Sequence, residues 1–94
     1  MFGRMEIGIL GRGRKSHDLS PVRELALKLA LMGVVFTRDD GSIKVVAEGP
    51  EENLIDFEDR LSKTSFFVAT EGFYAKWHEP KGEFQDFSVT GAKK

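Results

Sequence analysis

Cysteine is absent from this chain of 94 residues. That excludes disulfides and thiolate chemistry. Histidine is scarce. His17 and His78 stand far apart in the sequence and belong to no ligand-spaced cluster, so neither a zinc site nor any other cofactor is expected. A surplus of charge is lacking too, since the formal net value is −1. No global field draws such a chain onto nucleic acid or a membrane, and any anion binding has to be local. No apolar run approaches the roughly 20 residues of a membrane span. The opening Met1-Phe2-Gly3-Arg4-Met5 is too short and too weakly apolar for a signal peptide. A cytoplasmic location is the expectation. What is present is ordinary for a globular protein: 40% hydrophobic and 31% charged residues. One domain, residues 1–94, is expected, small but able to bury a core.

Periodicity supplies the elements. Residues 5–11 read as a strand, with Met5, Ile7 and Ile9 on one face. Ser20-Pro21 opens a helix, with Ser20 as N-cap and Pro21 at the first helical position. Val22, Leu25, Ala26 and Leu29 recur at helical spacing as a core-facing stripe, and Gly33 is expected to close the segment. Leu27 points away from that stripe, and Leu31 is expected to pack inward beyond the helix end. Val34 to Thr37 is β-branched and aromatic, hence a strand. Asp40-Gly41 is a hairpin turn into a strand from Ser42 to Glu48. Gly49-Pro50-Glu51-Glu52 starts a second helix, with acids where the dipole favours them. Its stripe is Leu54, Phe57 and Leu61, and its end falls near Lys63. Phe66 to Trp77 gives one or two strands, with Phe73 and Trp77 toward the core and Tyr74, Lys76 and His78 on the other face. Phe84 to Val89 is the last strand. The order β-α-β-β-α-β-β predicts an α+β, ferredoxin-like sandwich, an antiparallel four- to five-stranded sheet with two helices on one face.

Between the first strand and the first helix lies Arg12-Gly13-Arg14-Lys15-Ser16-His17-Asp18-Leu19. Backbone N–H groups converge in such a loop and make a natural anion cradle. Arg12, Arg14 and Lys15 add positive charge; Ser16 and His17 add donors. A phosphate-bearing or carboxylate small molecule is the partner this pattern fits. The plainer alternative is a solvated basic loop.

The ordered set Gly11, Gly33-Val34-Val35, Asp40-Gly41-Ser42-Ile43, Glu48-Gly49 and Trp77-His78-Glu79-Pro80 resembles the acylphosphatase family. No gap is needed from Ile9 to Glu52. Members hydrolyse carboxyl-phosphate anhydrides. In the family, loop amides and one arginine hold the phosphoryl group, and one asparagine orients the attacking water. Phosphoryl transfer needs such charge neutralisation and positioning more than covalent help. An ungapped count puts Leu19 at the arginine position and Thr37 at the asparagine position. The resemblance therefore implies the family fold with the standard pair replaced, and a domain that is inactive or impaired.

Arg23, about one helical turn beyond Leu19, would reach the phosphate position if the loop were shifted. The plainer reading is an exposed helix arginine beside Glu24. An active acylphosphatase with Arg12, Arg14 or Arg23 as a substitute is the second hypothesis. A protein-interaction module using the open sheet face is the third. Base stacking on sheet aromatics is not expected, because residues 5–11 and 42–48 carry none.

Overall fold

The computed structural model of the chain describes residues 1–10, 19–63 and 72–90. The strands are β1 (Phe2–Leu10), β2 (Met32–Thr37), β3 (Ile43–Pro50), β4 (Gly72–His78) and β5 (Phe87–Val89), with helices α1 (Ser20–Lys28) and α2 (Glu51–Ser62) between them. They form one sheet of order β4-β1-β3-β2-β5. Its register pairs Ile9 with Ile43 and Thr37 with Ile43, so these side chains share a face. Met5, Ile7, Val45, Ala47 and Val35 continue that face, and Val22 and Ala26 of α1 and Leu54, Phe57 and Leu61 of α2 complete the buried core. Burying such apolar side chains is the main driving force for the fold.

The sheet is not wholly antiparallel, as the pattern suggested. β5 pairs with β2 in parallel. The cause is the route of residues 79–86, which carry the chain from β4 on one edge to β2 on the other. They arrive beside Gly33, where the Gly33 N–H donates to the Asp86 carbonyl at 2.9 Å. From there β5 runs in the same direction as β2. It is also shorter than the sequence suggests, and Phe84 stands outside it.

The first helix differs at both ends. Leu19, not Ser20, is its N-cap, without a side-chain capping bond. The C-terminus falls at Leu29, well before Gly33. Ala30 takes a left-handed conformation at φ 59°. The Leu31 N–H then reaches the Ala26 carbonyl at 2.9 Å and the Ala30 N–H reaches Leu27 at 3.1 Å. This double bond pattern ends helices, usually with glycine at the left-handed position. It turns Leu31 into the core, as expected, while Leu27 stays exposed. Gly33 serves another purpose. A Cβ there would stand 1.9 Å from the Val46 carbonyl oxygen, on a backbone at φ +152°.

Trp77 also departs from expectation. It lies on the helix-covered side but at the sheet edge, and it is 49% exposed. Its ring edge and the Glu51 side chain close over Gly3. The side chain of Phe73 lies outside the described residues. No helix among the described residues is long and apolar enough to cross a membrane.

Candidate functional site

The ends of β1 and β2 and the start of β3 meet at one end of the sheet. β1 ends here at Leu10, and α1 begins at Ser20. Arg12, Arg14, Lys15, Ser16 and His17 lie outside the described residues. Leu19 is 4% exposed and belongs to the core. Its carbonyl accepts the first helical bonds, from Val22 at 3.1 Å and Arg23 at 3.3 Å. Thr37 ends β2, half-buried, on the helix-covered side.

The β2–β3 turn is pinned by one carboxylate. Asp40 accepts the Ser42 N–H at 2.9 Å and the Ser42 hydroxyl at 2.6 Å. The hydroxyl, then the amide, hold the Asp40 carboxyl below its usual range. The turn thus fixes the strand end that bears Thr37.

Arg23 is not a loose surface arginine. It is exposed, but its Nε–H donates to the Phe87 carbonyl at 2.9 Å. This bond joins the second turn of α1 to β5 and fixes where the guanidinium sits. Glu24 plays no part in it.

A second polar assembly covers the open face; the strand alternation put Tyr74 and His78 there but did not reveal Glu6 at its centre. Glu6 accepts from the Tyr74 hydroxyl at 3.0 Å and from Lys44 Nζ at 3.2 Å, with His78 Nε2 at 3.1 Å. Tyr74 reaches Glu6 because it lies across Gly8, where a Cβ would come within 2.3 Å of its ring. Burial pushes the Glu6 carboxyl up, but Tyr74, Lys44 and His78 together bring it below its ordinary value. Burial and the neighbouring carboxylate push the Tyr74 hydroxyl upward.

Beside it stands Glu48, 1% exposed. Its carboxylate accepts from Arg4 Nη1 at 2.7 Å and from the amides of Lys81 at 2.8 Å and Gly82 at 3.0 Å. Burial alone would raise this carboxyl. The Lys81 amide, Arg4 and the Gly82 amide outweigh burial and hold it low. An acid at the end of a strand gives no hint of this, since its partners lie 33 and 34 residues away in sequence. The alternation of β1 and β3 could have paired Arg4 with Glu48, but only once the register was known. Among the described residues no group of three or more His, Asp or Glu is placed to hold a metal.

A family model described as Acylphosphatase matches residues 20–89. An acylphosphatase of Pyrobaculum calidifontis is 29% identical over 87 residues, covering 92% of this chain and 79% of that protein. One from Bacillus velezensis is 39% identical over 59 residues, 62% of this chain and 64% of that protein. The crystal structure of acylphosphatase from Bacillus subtilis superposes with a TM-score of 0.81 at 28% identity, covering 96% of this chain and 99% of that one. Full-length HypF contains the same fold, with a TM-score of 0.83 at 21% identity over 12% of its length.

Proposed function

Because this chain belongs to the acylphosphatase family, we propose that it is a member which binds a phosphate-bearing or carboxylate anion at residues 12–19 but hydrolyses acyl phosphates poorly or not at all. The observation that carries this reading is Leu19. At the position that the ungapped count assigns to the family's phosphate-holding arginine stands a leucine that is 4% exposed and packed in the core. A buried alkyl group supplies no charge to a transferring phosphoryl group. Losing one positioned charge there typically costs about 10³-fold or more. Thr37, which the same count puts at the asparagine position, offers a single hydroxyl where the family has a planar amide. The family-model match begins at residue 20, past this loop, which fits a loop that has diverged.

The test is hydrolysis of a simple acyl phosphate such as benzoyl phosphate. The wild type should turn over at least about 10³-fold more slowly than a family member with the standard pair assayed alongside it. Turnover at ordinary enzyme rates would refute the impaired reading. Leu19→Arg with Thr37→Asn is the gain-of-function control. Its arginine starts from a core seat and must extend its head toward solvent, so a thermal melt must accompany the assay. For binding, a phosphate titration should move the amide signals of residues 12–19, and unmoved signals would refute the anion site.

The second reading, an active acylphosphatase with Arg23 as the substitute cation about one turn beyond Leu19, requires its guanidinium to leave the Phe87 carbonyl, which lies level with Gly33 at the start of β2 and not with Thr37 at its end. That reading predicts wild-type turnover that Arg23→Gln abolishes.

A further inference from the structure

Residues 79–86 cross from one sheet edge to the other without forming a helix or a strand. One buried side chain grips them. Glu48 takes the consecutive amides of Lys81 and Gly82 at 2.8 and 3.0 Å. Arg4 locks the grip from the side: Nη1 is 2.7 Å from Glu48 and Nη2 is 3.1 Å from Glu83. The Arg4 guanidinium also lies over the Phe84 ring, 5.4 Å from its centroid. The strap then leads into β5. The ring of Phe87 is 1% exposed and packs edge-on against Phe57 at 6.3 Å. Its carbonyl holds Arg23.

We propose that Glu48 is a positioning residue for Arg23, acting through the strap 79–86 and β5. The physical need is clear. β5 spans three residues, Phe87–Val89, at the sheet edge, and so short an edge strand frays unless something anchors it. Phe87 anchors its side chain. Glu48 anchors the backbone that feeds it. Without that anchor the Phe87 carbonyl loses its fixed height against α1, and Arg23 loses its partner. The inference extends the anion reading and depends on it only for the ligand. The link from Glu48 to Arg23 needs no ligand to be measured.

The experiment compares wild type with Glu48→Gln by amide hydrogen exchange and by the NMR signal of the Arg23 Nε–H, assigned through its loss in Arg23→Lys. Glutamine keeps the shape but leaves one oxygen for two amide donors. The Lys81 and Gly82 amides should exchange at least about tenfold faster while those of Ile7 and Val45 are unchanged. The Arg23 Nε–H signal should shift, and phosphate should bind more weakly. An Arg23 signal that does not move, or exchange that rises equally everywhere, would overturn the positioning role. If Glu48→Gln does not fold, Glu48→Asp keeps the charge beside Arg4 while drawing it back from the strap. It should move the same signals, and unmoved signals overturn the proposal again. A shifted Arg23 signal in a wild type that binds no phosphate supports the positioning role and refutes only the anion reading.

Discussion

Arg4→Met should be among the costliest single changes available in this protein that leave the apolar core untouched. It strands a carboxylate that is 1% exposed with two amide donors and no cation. Breaking a buried ion pair by removing one partner costs about 3–5 kcal/mol. The Arg4 side chain is 13% exposed, which favours the low end of that range. Its contact with Phe84 adds about 0.5–1 kcal/mol, and its bond to Glu83, on the rim, adds little. A loss of about 3–4 kcal/mol follows. Glu48→Gln, which orphans one strap amide and leaves Arg4 to Glu83 alone, should cost about 2–3 kcal/mol. The double variant holds no buried charge, so it should be more stable than the sum of the two losses implies, by about 1–2 kcal/mol. Urea unfolding at constant m-value measures all three. Acid gives an independent check. Glu48 sits below its unfolded value, so its contribution is complete above an unfolded pKa of about 4.3 and is lost as pH falls through the folded one. Without Arg4 that carboxyl rises and protonates earlier, relieving the stranded charge. The gap between wild type and Arg4→Met must therefore narrow between pH 7 and pH 4. Additive single losses, or a gap independent of pH, would refute the clasp.

Ala30→Gly should raise stability by about 0.5–1 kcal/mol, because it removes a left-handed alanine that the helix stop requires; a thermal melt should rise by about 4–8 °C per kcal/mol. Gly33→Ala should cost about 3 kcal/mol or more, since its Cβ meets the Val46 carbonyl oxygen on a backbone alanine rarely adopts; loss of a cooperative unfolding transition is the readout. Gly8→Ala should push the Tyr74 ring off β1 and away from Glu6. Tyr74 is the sole tyrosine, so its ultraviolet titration is unambiguous. In the wild type it ionises above its ordinary value; its contribution to stability is full below an unfolded pKa of about 10 and is lost as pH rises through the folded one. In Gly8→Ala the titration should return toward the ordinary value, and an unchanged curve would refute the Tyr74–Glu6 bond.

Much of the fold was legible because its signals are local. Met5, Ile7 and Ile9 alternate, Val22, Ala26 and Leu29 recur at helical spacing, and Asp40-Gly41 marks a turn whose aspartate does bind back to Ser42. The parts that escaped depend on contacts between distant segments. A pattern that ends at Gly33 does not reveal that Ala30 has already stopped the helix, since nothing in an alanine advertises a left-handed backbone. An aromatic residue on the core side of a strand reads as core, yet Trp77 is half-exposed because β4 lies at the sheet edge. The direction of β5 depends on where the strap lands, and the strap depends on Glu48.

Counting along the chain gives Leu19 the place of a phosphate-binding arginine, which reads as a loss. The structure gives it a positive duty: it caps α1, its carbonyl accepts the first two helical bonds, and its side chain fills the core beside Val22 and Ala26. Exchanging it for a charged residue keeps those backbone bonds but empties its core seat or buries a charge there. In the function proposed above, anion binding falls to the loop's Arg12, Arg14 and Lys15, with Arg23 tethered farther along, level with Gly33 at the start of β2. Arg23 has a fixed partner in the Phe87 carbonyl, and that partner's strand is tied through the strap to Glu48 on the open face. A site of this kind would respond to changes on the opposite side of the sheet, a dependence that an arginine at position 19 would not create.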